Sequence, residues 1–135
     1  MPNGIEVSSD GRLVFVNASG NNEVRRIDRA SGEIEARASV VGLDNARWSS
    51  DGRLVVASIR AEDLATYQAC MAFEAGACPM AFAIVAVDPV SMETEELYEN
   101  VGPPMGAGTV GLVVGDELFV GSFSGDRILR VDLDD

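Results

Sequence analysis

The sequence contains no histidine and no lysine, and these two absences narrow the chemistry open to the chain. Histidine is the side chain whose ordinary pKa lies nearest neutral pH, so proton transfer would need a carboxylate or another group instead. A zinc site is also disfavoured, because the two cysteines would need two further and less usual ligands.

Arginine supplies all ten positive charges against 22 acidic residues, which gives a net charge of −12 at pH 7. Such a surface repels phosphate backbones and anionic lipids, so we predict neither a nucleic-acid nor a membrane partner. The longest apolar stretch, 80–87, is far shorter than the roughly 20 residues that span a bilayer. The start of the chain shows no basic segment followed by an apolar run, which favours the cytoplasm and leaves the compartment undetermined.

Cysteine is scarce as well, with only Cys70 and Cys78. Their spacing fits neither a Cys-x-x-Cys redox motif nor a zinc knuckle. The pair can form a disulfide in an oxidising compartment or remain as two reduced thiols in the cytosol, and the sequence leaves both states open.

What the sequence does contain is a repeat. The segment 8–16 (SSDGRLVFV) returns at 49–57 (SSDGRLVVA), with Asp10 and Asp51 in equivalent places 41 residues apart, and a looser copy stands at 114–121. A period near forty residues, built on an Asp-Gly turn and a β-branched run, is typical of a β-propeller blade.

We therefore predict an all-β fold, a single half-propeller domain over 1–135 that forms the three-bladed half of a six-bladed β-propeller. The blades cover about 1–40, 41–100 and 101–135, and the last one lacks its outermost strand. The predicted strands are 5–8, 13–18, 23–28 and 33–39 in the first blade, 46–49, 54–59, 81–88 and 93–98 in the second, and 109–114, 118–123 and 127–133 in the third.

An insertion at about 61–79 interrupts the second blade between its second and third strands. Residues 61–73 are rich in helix formers, and Leu64, Tyr67 and Met71 share one face of a helix. We predict a short helix there, with an apolar stripe that covers the sheets.

Three blades leave two apolar sheet faces without a neighbour, whereas closed propellers have four to eight blades. We predict a homodimer that completes a six-bladed ring about a two-fold axis, with an interface above roughly 2,000 Å². The alternative is that the chain is a fragment of a longer propeller. The predicted interface residues are Ile5, Val7 and Phe15 on the first blade, and Leu112, Leu118 and Phe119 on the third.

Six short motifs stand at the turns and strand starts: 2–5 (PNGI), 9–11 (SDG), 43–45 (LDN), 50–54 (SDGRL), 108–110 (GTV) and 115–122 (GDELFVGS). Together they resemble the second half of the calcium-dependent six-bladed propellers of the senescence-marker protein, gluconolactonase and paraoxonase-like superfamily. The Asp-Asn pair at 44–45 makes the paraoxonase-like branch the best fit.

The resemblance implies a calcium ion on the propeller axis, held by Asn3, Asp44 and Asn45, with Asp44 as ligand or catalytic base. Amide and carboxylate oxygens are the hard donors that calcium takes. Thr109 and Met105 would line the mouth of the central tunnel. Read without the family, Asn3, Asp44 and Asn45 are equally understandable as turn and capping residues.

Two functions remain open at this stage. The resemblance implies a metal-dependent lactonase or esterase-like hydrolase, assembled by dimerisation, that polarises a lactone or ester carbonyl. The alternative is a non-catalytic half-propeller that binds a ligand or presents surfaces, with a small-molecule ligand possible. The chain lacks both the family's first-half calcium ligands and the catalytic histidine of paraoxonases, which favours the alternative.

Overall fold

A computed structural model describes residues 1–134, with eleven β-strands, one α-helix and one turn of 3₁₀ helix at Ser19–Asn21. The strands are β1 (Pro2–Val7), β2 (Leu13–Ala18), β3 (Glu23–Asp28), β4 (Ile34–Ser39), β5 (Leu43–Trp48), β6 (Leu54–Arg60), β7 (Ala81–Val87), β8 (Thr94–Asn100), β9 (Gly108–Val114), β10 (Glu117–Ser122) and β11 (Leu129–Asp132), and the helix is α1 (Leu64–Met71). No helix among the described residues is long and apolar enough to cross a membrane.

The strands form three antiparallel sheets in chain order, which confirms the all-β, three-bladed prediction. The first sheet is β1-β2-β3-β4, the second is β5-β6-β7-β8, and the third is β9-β10-β11, with no fourth strand among the described residues. The innermost strands β1, β5 and β9 follow one another in contact. The fold is therefore half of a propeller, with three inner strands on the side where its axis runs.

The core lies in two seams between the sheets. In β6, Leu54 and Val56 pack toward the first sheet, while Val55 and Ala57 pack toward the third. Because successive strand residues point to opposite faces, the second sheet is buried on both sides. The third sheet approaches closely at Gly111, where a Cβ would lie 2.7 Å from Ile84 Cγ2.

The outer sheets each bury one face and leave the other open. Ile5 is 61% exposed in the first sheet and Leu112 is 47% exposed in the third. We call these the first and third open faces; their apolar residues are Ile5, Val7, Val14, Val16 and Ile27, and Val110, Leu112, Val114 and Phe119, respectively.

Two of the predicted interface residues are not on the open faces. Phe15 is 1% exposed and packs in the seam between the first two sheets, and Leu118 is fully buried in the seam between the second and third. Both predictions were wrong for the same reason. Strand alternation turns Phe15 away from Val14 and Val16, and it turns Leu118 away from Phe119.

The two copies of the repeated motif form the same hairpin with different lengths. Ser8 N donates to Leu13 O, whereas Ser49 N donates to Arg53 O, so the first loop is one residue longer. The repeat is 41 residues long in sequence but 40 residues long in strand register. Asp28 and Asp88 are equivalent positions in the two blades, and Leu13 lies opposite Asp28, whereas Leu54 lies opposite Val87, one residue before Asp88. A slip of one residue moves every side chain to the other face.

Hydrogen bonds within each turn explain why the motif recurs. Ser8 Oγ donates to Asp10, and Ser49 Oγ donates to Asp51. The bond from Ser49, together with those from the main chain and side chain of Arg53, lowers the pKa of Asp51 to about 2. These local bonds hold the Asp-Gly turn whatever the sheets pack against.

The insertion contains the predicted helix, shortened to α1. Asp63 caps its N-terminus by accepting a hydrogen bond from Thr66 N at 2.7 Å. Cys70, near the end of α1, forms a disulfide with Cys78, and both are buried. The disulfide resolves the alternative that the sequence left open.

Candidate functional site

Each of the three inner strands has a β-bulge near its N-terminal end, where the strand borders an opening on the propeller axis that we call the axial opening. Between Pro2 and Ile5, β1 has one residue more than β2 opposite. The same excess lies between Leu43 and Ala46 in β5, and next to Thr109 in β9. A bulge re-aims the side chains it contains, and bulges are frequent next to active sites. They are the reason that Asn3, Asp44, Asn45 and Thr109 reach the same opening.

The bulges also explain where the predicted strand starts were wrong. β1 begins at Pro2 instead of Ile5, and β5 begins at Leu43 instead of Ala46. Asn-Gly and Asp-Asn are typical turn dipeptides. Here they lie within strands, because a bulge accepts residues that a regular strand disfavours.

Side chains of the first sheet hold the start of β5 in place. Asn17 is 1% exposed and its Nδ2 donates to Asp44 O at 2.7 Å, while Ser19 Oγ donates to Leu43 O at 2.5 Å. Gly4 permits this approach, since a Cβ there would lie 2.7 Å from both Asp44 O and Ala46 N. Asn17 Oδ1 has no hydrogen-bond partner within residues 1–134, and an unpaired buried oxygen lowers the stability of the fold. This indicates that the side chain serves mainly to hold β5 through its Nδ2.

The axial opening is a cavity of about 430 Å³ lined by polar residues on one side and apolar residues on the other. Its lining residues are Asn3, Asp44, Asn45, Thr109, Tyr67, Met71 and Phe123. Four of the five predicted site and tunnel residues, namely Asn3, Asp44, Asn45 and Thr109, are therefore brought together.

Met105 does not line the opening. It is 1% exposed and packs in the seam between the second and third sheets, and its carbonyl accepts a hydrogen bond from Asn100 at 2.6 Å. The prediction placed it in a loop at the tunnel mouth. Its apolar side chain instead fills the core below that loop.

Asp44 is the ionisable group at the centre of the polar side. Partial burial raises the pKa of its carboxyl, and a hydrogen bond from the Asn3 side chain partly offsets the rise. Within the described chain no arginine forms a salt bridge with it. Asn45 Nδ2 donates to Thr109 O at 3.0 Å, and its Oδ1 accepts no hydrogen bond from residues 1–134.

These donors fit calcium in kind and fall short in number. Asn3, Asp44 and Asn45 offer hard oxygens, whereas calcium takes six to eight. Residues 1–134 contain no cluster of three or more histidine, cysteine, aspartate or glutamate side chains that could hold a metal. The described chain therefore brings together three side-chain oxygen donors here, fewer than a calcium ion takes.

The sequence did not assign the apolar side of the opening. Tyr67 and Met71 come from α1 and Phe123 follows β10, with the rings of Tyr67 and Phe123 centred 5.7 Å apart. The helical spacing of Leu64, Tyr67 and Met71 predicted an apolar stripe that covers the sheets. That prediction was wrong, because Leu64 is 70% exposed, and Tyr67 and Met71 line the opening. Asn17 carried no motif that could have identified it.

Comparisons with known proteins support the fold. No protein-family model and no curated protein matches the chain. Among solved structures, it is similar to Kuenenia stuttgartiensis hydrazine synthase (19% identity, TM-score 0.62), covering 97% of this chain and 32% of that one. Candidate 6-phosphogluconolactonases from Bacteroides fragilis (15%, TM-score 0.53) and Bacteroides uniformis (14%, 0.51) match over 90% of this chain and 32% and 33% of theirs.

The chain thus spans about a third of the solved structures that it matches. At these identities the similarity shows a shared propeller-like fold and nothing finer.

Proposed function

We propose that the chain is half of a calcium-dependent lactone or ester hydrolase, with its catalytic centre at the axial opening. The observation that carries the proposal is the convergence of three bulged strand ends on one carboxylate, Asp44, that has no cationic partner within the described chain. An unpaired, partly buried carboxylate beside amide oxygens is typical of cation sites and of catalytic bases.

Asn3, Asp44 and Asn45 would hold the calcium ion. When bound, calcium supplies a Lewis acid that polarises a carbonyl. The chain's own residues hold the oxygens in position: Asn17 fixes the main chain of Asp44, and Thr109 O fixes the amide of Asn45. Asp44 is the group that can accept a proton from water, because the chain has no histidine to do so.

A second copy would complete both the ring and the donor set. The first and third open faces are apolar, and each inner seam shows how such faces are buried between neighbouring blades. Joining the third open face of each copy to the first open face of the other closes six blades about a two-fold axis. The second Asn3, Asp44 and Asn45 would then lie across the same opening.

Ring closure is tested by sedimentation of matched valine variants. Val114→Asp places a charge on the third open face and should convert the dimer to a monomer, because an unpaired charge would be buried. Val101→Asp is the control, since Val101 is 68% exposed in the loop after β8 and belongs to neither open face. A wild-type chain that stays monomeric at micromolar concentration would contradict the proposal.

Calcium binding and hydrolysis are tested together. Calcium should raise the Tm in a concentration-dependent way, and Asp44→Asn should remove most of that rise. Asp116→Asn, in an exposed turn of the third sheet, should leave it intact. With γ-butyrolactone and phenyl acetate as substrates, chelation should abolish hydrolysis, and Asp44→Asn should lower kcat by on the order of 100-fold.

The second candidate is a non-catalytic half-propeller module. It is favoured by the absence of histidine and by the incomplete donor set of a single chain. Calcium-dependent stabilisation without hydrolysis would support this module. No calcium effect on the wild type, or an unchanged effect in Asp44→Asn, would falsify the calcium assignment.

A further inference from the structure

The axial opening has an apolar wall that a calcium site does not need. Tyr67, Met71 and Phe123 line the same cavity as Asp44, and they are 39%, 63% and 38% exposed. Exposed apolar side chains that meet in a concave site with a few polar groups are typical of ligand recognition. The wall comes from the insertion of the second blade and from the third sheet, so the first sheet has no part in it.

The wall is held rigidly. The disulfide between Cys70 and Cys78 closes the insertion on itself, and Ser124 Oγ donates to Cys70 O at 2.8 Å. Gly125 N donates to Phe73 O at 2.9 Å and Gly76 N donates to Asp126 Oδ1 at 3.1 Å. α1 is thus joined to the loop after β10, and a preorganised wall binds without the cost of ordering it.

The charges at the opening indicate the class of ligand. Among residues 1–134, Asp44 is the one acidic residue that lines the cavity, and no arginine lines it. The whole chain carries −12. Before calcium binds, an anionic ligand would therefore meet repulsion and no cationic side chain, whereas an uncharged carbonyl compound meets no such repulsion with or without the ion.

We propose that Tyr67, Met71 and Phe123 determine specificity by binding the aryl or alkyl group of an uncharged carbonyl ligand whose polar end lies at Asn3, Asp44 and Asn45. This inference rests on the proposed function in taking the axial opening as the ligand site. It assigns α1 to ligand selection, which the helix could perform whether or not the site is catalytic.

The test uses ketones, which resemble esters but cannot be hydrolysed. Benzylacetone and methyl ethyl ketone share a methyl ketone and differ by a phenyl group. Binding is followed by NMR of methyl-labelled methionine, with the Met71 signal assigned by its loss in Met71→Ala. Benzylacetone should shift the Met71 signal and bind at least about tenfold more tightly, because the phenyl ring is buried against the wall.

The variants separate recognition from folding and from catalysis. Tyr67→Ala and Phe123→Ala should each weaken benzylacetone binding by about fivefold to tenfold and leave methyl ethyl ketone binding unchanged. Leu64→Ala is the control, because Leu64 is 70% exposed on the same helix and does not line the cavity. Equal affinity for the two ketones, no detectable binding, or an unchanged affinity in both wall variants would overturn the inference. Loss of hydrolysis in Asp44→Asn concerns the proposed function alone, since ketone binding requires no hydrolysis.

Discussion

Strands β2 and β6 contain nearly the same sequence and occupy their sheets differently. Leu13 is partly exposed beside the first seam, whereas Leu54 is fully buried within it. Val16 lies on the first open face, whereas its sequence equivalent Ala57 is buried against the third sheet. The same repeated sequence can therefore specify a strand and its hairpin without specifying which face of the strand is buried.

The hairpin before each strand accounts for the difference. A loop that is one residue longer before β2 shifts its register by one step relative to β6. Residues 54–58 are buried on both faces, so their pattern has no polar side to set the register. Register is then decided by the turn and by the neighbouring sheets.

The largest expected effect compares the two leucines. Leu54→Ala should lower the free energy of unfolding by about 3–5 kcal/mol, since it leaves a cavity in a packed seam. Leu13→Ala should cost roughly 1–2 kcal/mol, because its site is open at the edge and part of its surface already meets water. Urea unfolding of both variants measures the difference. Equal losses would mean that the two repeats are buried alike.

A smaller expected effect compares two hydrogen bonds near the C-terminal ends of β2 and β6. Asn17 Nδ2 donates to Asp44 O, and Ser58 Oγ donates to Val41 O at 2.7 Å; both side chains are buried. Asn17→Ala and Ser58→Ala should each cost about 1–3 kcal/mol, because each removes a hydrogen bond made by a buried side chain.

The rise in Tm that calcium produces should distinguish the hydrogen bond of Asn17 from that of Ser58. Only Asn17→Ala releases the main chain of Asp44, so only it should reduce the rise in Tm that calcium produces. Thermal unfolding with and without calcium gives both quantities for each variant. If Ser58→Ala reduced the calcium-induced rise in Tm equally, the hydrogen bond of Asn17 would have no specific role at the proposed calcium site.

The smallest effect compares the two turn carboxylates, Asp10 and Asp51. The pKa of each is lowered, and that of Asp51 falls to about 2 because Ser49 and Arg53 bind it together. A lowered pKa stabilises the fold above the unfolded value of 3.8, and the gain is lost as pH falls toward 2.

Asp51→Asn should therefore remove part of the acid sensitivity between those two pH values, by less than about 1 kcal/mol because the pair is solvent-screened. Asp10→Asn should do less, because only the main-chain N–H of Arg12 donates to Asp10, and its guanidinium bonds with Asp28 and Glu35. Tm measured across this pH range checks both variants. A larger effect from Asp10→Asn would reverse the comparison.

Asn3, Asp44, Asn45 and Thr109 line one opening, and the resemblance could place them near one another because these positions lie at the starts of inner strands. The sequence missed Asn17 and the wall of Tyr67, Met71 and Phe123. Asn17 acts through a hydrogen bond to a residue 27 positions away, and Tyr67 meets Phe123 across 56 positions. Neither pairing follows from a local pattern.

By itself the sequence determined the features that depend on neighbours in the chain: the Asp-Gly turns, the strand periodicity, the helix in the insertion and the surplus of acidic charge. Turn geometry and alternation act over a few residues, so they are readable locally. Only the tertiary structure decided the registers, the three bulges and the placement of Phe15, Leu118 and Met105 in the core. These depend on which sheets pack together, and packing joins residues that the chain holds far apart.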